Sequence, residues 1–417
     1  MARADRVTFA DVFAVREFAG LWAAWVLSVV GDQFARVALS LLVFDRTGSA
    51  ALTAATYAVT FVPDLLGGPF LASLADRFPR RRVMLVADFF RAAVVAVMAI
   101  PGLPILLLLV LLFAVQLVAA PFTAARGAMT RAMLDGERFS VATGVMQMTY
   151  QMGLVLGFPL GALVVALTDT SGALLVDAGT FLLSALLVWV FVKERLPEAA
   201  PDGRPKRTWS SVREGFALLR RSPRHGALLS LACVSGFYVA PEGLVVPYAD
   251  QLGAGPVAVG LLLAANPLGM TLGIVVLTRF VRDDATRARW LGPLAIATCA
   301  MLLPTVFAPG VGISFLLWAL VGFFSAHDMV TNVEYVNATP DHQRGQLIGL
   351  AQAALRGAQG VGVLVTGVLA QVLDPARVIA LAALVGVVAA TLAARAWRKA
   401  APSTGLSPGP LSPGPLP

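Results

Sequence analysis

Charged residues are scarce in this chain of 417 residues. Asp, Glu, Lys and Arg together make up 13% of the sequence, whereas a soluble globular domain carries about a quarter. Hydrophobic residues make up 58%. The composition therefore excludes an ordinary soluble domain and predicts a membrane protein. The 38 glycines and 26 prolines agree with this prediction, because both residues are more frequent in membrane helices than in soluble ones.

Cysteine is nearly absent, and so are several motifs that would indicate other classes of protein. The two cysteines, Cys233 and Cys299, lie in apolar stretches, so neither a disulfide framework nor a metal site is predicted. A Walker A loop is absent, which argues against an ATP-driven pump. The sequence also shows no Ser-His-Asp or paired-carboxylate arrangement, so we expect no enzyme activity. Residues 1–17 are polar and predict no cleavable signal peptide.

Long apolar stretches are what the chain has in abundance. A membrane helix needs about 20 mostly apolar residues, and twelve stretches meet this requirement. They cover residues 18–43, 50–72, 83–100, 105–123, 142–167, 173–192, 227–248, 255–278, 290–307, 311–333, 346–372 and 378–394. Turn residues separate several pairs, as in "RTGS" at 46–49 and "APG" at 308–310. The sequence therefore predicts an all-α membrane protein with twelve transmembrane helices.

The basic residues indicate how these helices are oriented. With the N-terminus in the cytoplasm, all but five of the 32 Lys and Arg fall on the cytoplasmic side, as the positive-inside rule requires. The exceptions are Arg46 and Arg377 in extracellular loops and Arg36, Arg91 and Arg356 inside spans. Both termini are thus predicted to be cytoplasmic. The net charge of +8 does not indicate nucleic-acid binding, because it is spread over short connections.

A long polar connection at 193–226 divides the chain into two halves of six spans. The predicted order is a cytoplasmic tail (1–17), an N-terminal bundle (18–192), this linker, a C-terminal bundle (227–397) and a disordered Pro/Gly-rich tail (398–417). Within the linker, apolar residues from Trp209 to Leu219 recur at helical spacing and predict an amphipathic helix on the membrane face. Six spans on each side of a central cytoplasmic connection resemble the plan of the major facilitator superfamily, which implies a transport site near the midplane, between the halves.

The loop between the second and third spans, "LASLADRFPRRR" at 71–82, resembles a signature of the major facilitator superfamily, G-x-x-x-D-R-x-G-x-R-R. Asp76, Arg77 and Arg81 match the signature, whereas Ala72 and Pro79 replace its two glycines. The resemblance implies the superfamily's two six-helix bundles. It also implies that this loop acts as a conformational latch.

The third span adds a possible element to this latch. Asp88 and Arg91 lie three residues apart on one helix face. We interpret them as a structural pair linked to the latch in the loop.

The fifth span, "GVMQMTYQMGLVLGFPLGA" at 144–162, is similar to an antiporter signature, G-x8-G-x3-G-P-x-x-G. Gly144, Gly153 and Gly157 fit the spacing, and Pro159 and Gly161 follow after an intruding Phe158. The resemblance implies an exporter. The alternative interpretation is a glycine-rich face for close helix packing.

Stretches along most of the chain resemble the macrolide-efflux and siderophore-export branch of the superfamily. They include "LSVVGDQFARVAL", "LADRFPRRRVMLVADFFRA", "DAGTFLLSALL" and "RGQLIGL". The fourth span has no arginine signature, and "VATG" at 141–144 lacks the Ala-Asn usual in this branch.

Ionisable residues inside membrane spans are candidates for transport function, because burying them is unfavourable. Asp32 and Arg36 lie one turn apart in the first span, and they form either a structural ion pair or a proton or cation site. Asp64 in the second span has no evident local partner and is a candidate coupling residue.

The second half contains further candidates of this kind. Glu242 follows Pro241 in the seventh span, where it could bind a cationic cargo beside Tyr238, or lie in water at the extracellular end. His327 and Asp328 are adjacent in the tenth span, so we expect them on different helix faces. His327 is either a proton relay or a packed neutral side chain.

Together these features predict a secondary transporter that exports a hydrophobic or amphipathic drug, antibiotic or secondary metabolite by proton antiport. Its partners would be the cargo, protons and the lipid bilayer, with no nucleic acid and no cofactor beyond the proton motive force. We expect a monomer in a bacterial plasma membrane. The alternatives are a lipid or siderophore transporter of the same fold, and a non-transporting receptor or sensor.

Overall fold

The computed structural model describes residues 7–61, 77–195, 222–281, 283–339 and 344–400. Every regular element within these ranges is a helix, which confirms the all-α prediction. Asp64, Asp76, nearly all of the linker helix and the tail beyond residue 400 lie outside the described residues.

The N-terminal half begins with a short helix and continues with long apolar ones. Its helices are α1 (Phe9–Phe13), α2 (Arg16–Thr47), α3 (Ala50–Ala58), α4 (Arg80–Met98), α5 (Ile105–Met133), α6 (Gly136–Thr168) and α7 (Thr170–Phe191). The predicted turn at 46–49 is confirmed. Gly48 ends α2 in the left-handed conformation with φ of 60°, and the Ser49 side chain accepts a hydrogen bond from the Leu52 amide to start α3.

The C-terminal half contains a broken helix followed by longer ones. Its helices are α8 (Pro223–Cys233), α9 (Ser235–Tyr238), α10 (Ala240–Gly243), α11 (Val245–Gln251), α12 (Pro256–Phe280), α13 (Asp284–Ala300), α14 (Val311–Ser325), α15 (His327–Ala338), α16 (Arg344–Leu369) and α17 (Pro375–Ala400), with a 3-10 helix at Leu303–Phe307. The chain bends by 49° where α10 meets α11. Pro241 and Pro247 flank this bend, and each removes a backbone donor.

Helix caps at the membrane surface follow the sequence closely. The Asp283 carboxylate accepts hydrogen bonds from the Thr286 hydroxyl at 2.6 Å and the Thr286 amide at 2.8 Å. These bonds start α13 and hold the pKa of Asp283 below its ordinary value. Thr8 and Asp11 form a reciprocal capping box on α1, and the bonds from Thr8 likewise lower the pKa of Asp11.

Nine helices in the described ranges are long and apolar enough to cross a membrane, and the bent segment Pro223–Gln251 would make ten. The second and third predicted spans are not among them. Of the second, α3 gives only Ala50–Ala58 before the described range ends. The third, α4, starts with three arginines and carries Asp88 and Arg91 within its 19 residues. The count of twelve stays a prediction.

Close helix packing joins the two halves and builds each of them. Within the N-terminal half α2 packs against α6 and α7, and within the C-terminal half α12 packs against α14. Between the halves, α3 packs on α16 and α6 packs on α12. The second contact is tight, since a Cβ on Gly260 of α12 would lie 2.6 Å from the Phe158 carbonyl oxygen of α6.

The contact between α12 and α14 allows a direct test of this packing. A Cβ on Gly269 would lie 1.8 Å from the Ala319 carbonyl oxygen, and one on Gly322 would lie 2.0 Å from the Asn266 carbonyl oxygen. Backbone atoms cannot swing aside as a side chain can, so we expect Gly269→Ala to destabilise the protein by about 1–3 kcal/mol. Thermal unfolding of the purified protein in detergent would measure the loss.

Gly179→Ala is the matched control, because a Cβ at that exposed helical position meets no atom within 4 Å. It should leave the midpoint of unfolding unchanged or raise it slightly. Equal midpoints for the two variants would contradict the close approach of α12 and α14.

Candidate functional site

The acid Glu242 lies where helices of the two halves meet. Tyr57 of α3 donates a hydrogen bond from its hydroxyl to Glu242 Oε2. Asn266 of α12 donates from Nδ2 to Glu242 Oε1 at 3.1 Å. Each oxygen of the Glu242 carboxylate therefore accepts a hydrogen bond, one from a donor in the N-terminal half and the other from a donor in the C-terminal half. We call Glu242, Tyr57 and Asn266 the interface site.

Two guanidinium groups face the interface site. Arg36 of α2 lies within electrostatic reach of Tyr57 and Glu242, and its Nε atom is buried without a hydrogen-bond partner among the described residues. Arg356 of α16 also acts on Glu242, and it lies 5.9 Å from the ring centroid of Phe61. The site thus combines one acid, two bases and aromatic rings in partly buried surroundings.

Tyr238, predicted to lie beside a cation bound at Glu242, has a hydrogen-bond partner on another helix. Its hydroxyl donates to Asp328 Oδ2, on α15. The cation site at Glu242 and Tyr238 stays a prediction.

His327 and Asp328 also depart from the prediction that they point to different faces. His327 Nε2 lies 3.4 Å from Asp328 Oδ1, at the first two residues of α15. His327 is fully buried, and its Nδ1 bonds to the Phe324 carbonyl oxygen at 3.0 Å. Asp328 lines a small cleft with Asn332 and Gln352 in the C-terminal half.

Asp32 forms its ion pair with Arg91 rather than with Arg36. Arg91 Nη2 lies 2.6 Å from Asp32 Oδ1, which links α4 to α2. The predicted pair of Asp88 and Arg91 is present at a longer distance, 3.9 Å. Arg36, one helical turn from Asp32, lies within electrostatic reach of Asp32 and of Tyr57 and Glu242 in the interface site.

The loop-latch residues are only partly described. Asp76, on which the latch depends, and the coupling candidate Asp64 lie outside the described residues. Arg77 is exposed, and Arg81 donates a hydrogen bond to the Trp189 carbonyl oxygen at the end of α7. The latch therefore stays a prediction.

Most of the fifth-span glycines lie in a packed interface with α2. A Cβ on Gly153 would lie 2.5 Å from Val29 Cγ1, one on Gly157 would lie 2.8 Å from Gln33 Cγ, and one on Gly161 would lie 3.0 Å from Phe34 Cα. Gly144 faces open space. Pro159, in the same motif, lies against Gly260 of the other half. The motif is thus a close-packing surface, and its association with export stays a prediction.

Sequence reasoning missed three residues that the fold brings to these sites. Tyr57 and Asn266 hold Glu242, and Asp177 of α7 is fully buried beside α2. Asp177 carried a detectable signal, since it is an acid inside an apolar stretch. Tyr57 and Asn266 gave little signal in the sequence, because single polar residues of these types are common in membrane helices.

These features define an α-helical membrane protein of two halves that enclose a polar site between them, the architecture of a secondary transporter. The sequence model of the Major Facilitator Superfamily matches residues 21–326 of this chain and, in a second match, residues 243–416. The chain belongs to the Major Facilitator Superfamily, as its loop and span motifs predicted.

Relatives in bacteria are named for efflux. Macrolide efflux protein A of Streptococcus pyogenes is 23% identical over 270 residues, which cover 63% of this chain and 66% of that protein, just under two thirds. Multidrug efflux pump Tap of Mycolicibacterium fortuitum is 27% identical over 364 residues, which cover 82% of this chain and 86% of the pump.

Solved structures share the fold at low sequence identity. An inward-facing, occupied bacterial homologue of the human lysosomal transporter Spinster superposes with a TM-score of 0.73 at 15% identity, over 92% of this chain and 96% of that one. A POT family transporter in complex with 5-aminolevulinic acid gives 0.74 at 12% identity, over 95% and 98% of the two chains.

The ion pair of Arg91 leads to a prediction about stability. The Arg91 side chain is 2% exposed, and its removal leaves buried carboxylates without their cation. We expect Arg91→Met to destabilise the protein by about 3–5 kcal/mol, measured by thermal unfolding in detergent. The loss of stability should grow as pH rises. The acids left without Arg91 then have a stronger tendency to ionise, and folding would bury their charge without a cation.

Arg377→Met is the matched control, since Arg377 pairs with Asp374 while 67% exposed. An exposed pair of this kind contributes at most about 1 kcal/mol. Similar midpoints for the two variants would show that Arg91 does not balance the charges around it.

Proposed function

We propose that this protein is a secondary transporter that exports a hydrophobic or amphipathic small molecule in exchange for protons, across a bacterial plasma membrane. Transport proceeds by alternating access, in which the two halves rock about a central site. The relatives named for macrolide and multidrug efflux support the direction and the class of cargo. The protein is thus proposed to be a transporter and not an enzyme.

The observation that carries this proposal is the interface site. Glu242 is held by Tyr57 from one half and by Asn266 from the other. Any movement that separates the halves on this side must release the Tyr57 hydroxyl from the carboxylate. A cargo or a proton that binds there therefore changes the contact between the halves, which is the requirement for coupling binding to a conformational change.

The charges of the interface site bear on the kind of cargo. Glu242 already has two hydrogen-bond donors, and Arg36 and Arg356 act on it electrostatically. One acid with two guanidinium groups does not favour a simple cation. An amphipathic molecule with several hydrogen-bonding groups fits better, because Tyr57, Asn266 and the guanidinium groups supply donors while Phe61 supplies an apolar face.

Contacts between the halves support alternating access. Gly367 of α16 packs against Ala54 of α3, and the Gln371 side chain lies 2.9 Å from the Ser49 hydroxyl. With its amide oxygen toward α3, Gln371 also accepts hydrogen bonds from the Ala50 and Ala51 amides. These contacts lie at the end predicted to be extracellular. The described conformation would then be closed to the outside.

The proton motive force is sufficient for such export. One proton crossing ~150 mV supplies ~3.5 kcal/mol, which corresponds to a cargo gradient of roughly 300-fold. No further energy source is required by the proposal.

A proteoliposome assay tests the proposed antiport. A pH gradient is imposed, lumenal pH is followed, and a macrolide, a hydrophobic cation and a catecholate siderophore are added in turn. We expect the macrolide to drive proton movement in the wild type, and Glu242→Gln and Tyr57→Phe to reduce it, because each weakens the hydrogen bond that joins the halves.

Asp45→Asn is the matched control, because Asp45 is an exposed acid near the end of α2. It should transport like the wild type. Movement of the macrolide with no accompanying protons would contradict antiport, and a response to the siderophore alone would favour the siderophore-transporter alternative.

A cross-link tests alternating access separately. In a protein with Cys233 and Cys299 changed to serine, a short bifunctional methanethiosulfonate should join Ser49→Cys to Gln371→Cys, because the native side chains are in contact. The cross-link should stop transport by holding α3 to α16, and reduction should restore it. Each single variant is the control, and transport at the full rate by the cross-linked protein would contradict separation of the halves at this end.

A further inference from the structure

The N-terminal half encloses a second ionisable cluster, separate from the interface site. Three acids surround one guanidinium group: Asp32 of α2, Asp88 of α4 and Asp177 of α7 lie around Arg91 of α4. Asp88 and Asp177 are fully buried, and the Arg91 side chain is 2% exposed. Asp32 is the accessible member, with 24% of its side chain exposed. We call these four residues the carboxyl cluster.

Arg91 is held between its partners and an aromatic ring. Its Nη2 atom lies 2.6 Å from Asp32 Oδ1, and its Nη1 atom lies 3.9 Å from Asp88 Oδ1. The guanidinium carbon lies 4.0 Å from the centroid of the Phe181 ring. The shorter contact makes Asp32 the principal partner of Arg91 in this conformation.

The two buried acids are incompletely satisfied. Asp88 Oδ2 accepts a hydrogen bond from the Ser184 hydroxyl at 2.6 Å, and Ser184 in turn accepts one from the Ser28 hydroxyl at 3.3 Å. Asp88 Oδ1 and Asp177 Oδ2 are buried with no hydrogen-bond partner in the described part of the chain. A buried carboxylate oxygen without a donor is unfavourable, so these two atoms are acceptors that lack a hydrogen-bond donor.

Asp177 is brought to the cluster by a glycine in α2. A Cβ on Gly31 would lie 2.3 Å from Asp177 Oδ1 and 2.1 Å from the Thr180 hydroxyl oxygen. The absence of a side chain at Gly31 therefore lets the carboxyl group reach the backbone of α2, directly beside Asp32.

The balance of charge requires protons in this cluster. Three ionised carboxylates beside one guanidinium would leave two uncompensated negative charges in apolar surroundings, which is strongly unfavourable. Among the described residues, Arg36 of α2 also acts on Asp32, and Arg36 is shared with Tyr57 of α3, Tyr150 of α6 and Glu242 of α10. Even with Arg36 included, the acids outnumber the bases.

We propose that the carboxyl cluster is the proton-binding unit of the transport cycle, with Asp32, whose side chain is 24% exposed, as the member that exchanges protons with its surroundings. This assignment rests on the proposed antiport. A proton from hydronium forms an O–H bond at the Asp32 carboxylate and leaves water behind. Arg91 keeps its own protons and turns its N–H groups to Asp88 Oδ1 and Asp177 Oδ2. The cluster thereby loses one negative charge.

This exchange of partners alters which helices are joined. With Asp32 ionised, Arg91 links α4 to α2, whereas with Asp32 protonated it links α4 to α7 through Asp177. Helix α2 is released from α4 by the same step. Because α2 also carries Arg36 one turn beyond Asp32, its release reaches the interface site and its Glu242.

Infrared spectroscopy of the purified protein tests the cluster without any cargo. Difference spectra between low and high pH are recorded for the carbonyl stretch of protonated carboxyl groups. We expect a titrating band in the wild type that is reduced in Asp32→Asn and in Asp177→Asn, while Asp45→Asn retains it. Monodisperse elution checks folding, and Asp88→Asn serves as a further variant if Asp177→Asn does not fold.

Two spectroscopic outcomes would overturn the assignment. One is the lack of a titrating carboxyl band in the wild type. The other is a band that survives in the Asp32 and Asp177 variants but is lost in Asp328→Asn, which would put the proton on the His327 and Asp328 pair of the other half.

Transport separates failure of this assignment from failure of the proposed function. In proteoliposomes, Asp32→Asn and Asp177→Asn should still exchange labelled for unlabelled macrolide but lose macrolide-driven proton movement. If the wild type moves macrolide without protons, antiport is wrong and the assignment fails with it. If the wild type couples the two and both variants keep that coupling, antiport stands and this assignment alone is wrong.

Discussion

Ionised side chains inside an apolar helix bundle have to be matched, since the surroundings cannot solvate them. In this protein the constraint is met by contacts between helices. Arg91 joins α4 to Asp32 of α2, Tyr57 joins α3 to Glu242, and Tyr238 joins the broken helix to Asp328. The polar residues that are hardest to bury are therefore the ones that determine how the helices are arranged.

Glycine makes these contacts possible by allowing backbones to approach. Gly31 admits Asp177 to the surface of α2, and Gly260 brings α12 against Phe158 and Pro159 of α6. With an alanine at either position the facing atoms would have to move. The motif in the fifth span that resembles an antiporter signature is, in physical terms, a stretch of this kind, since three of its glycines lie against α2. Close packing and a functional role are compatible, because a tightly packed interface is also one that can exist in two discrete arrangements.

Local features of the sequence predicted the helices well, and the family with them. The turn at Gly48, the arginines at the start of α4 and the apolar stretches were all readable in the sequence. The partners of the buried charges were not readable, because they depend on which face of each helix meets its neighbour. Asp32 and Arg36 satisfy the spacing rule for an ion pair, yet Arg91, distant in sequence, is nearer to Asp32.

Breaks in the helices limited prediction in the same way. Spacing arguments assume a continuous helix, and both the Tyr238–Glu242 region and the start of α15 interrupt one. Near these interruptions, adjacent residues such as His327 and Asp328 come within 3.4 Å. Pro241 was visible as a break in the sequence, but the direction in which the chain turns after it was not.

The arrangement as a whole places two polar sites on one continuous helix. Helix α2 carries Asp32, a member of the carboxyl cluster, and Arg36, which lies near the interface site one turn further on. In the proposed cycle, a proton that binds to Asp32 changes what holds α2, and a cargo molecule that binds at the interface site changes the surroundings of Arg36. Coupling between the carboxyl cluster and the interface site then requires no relay of side chains. A rigid helix α2 that takes one of two positions in response to either site would connect them directly. This is why Asp32 and Glu242, although they lie in opposite halves of the sequence, are best understood as parts of one proposed device.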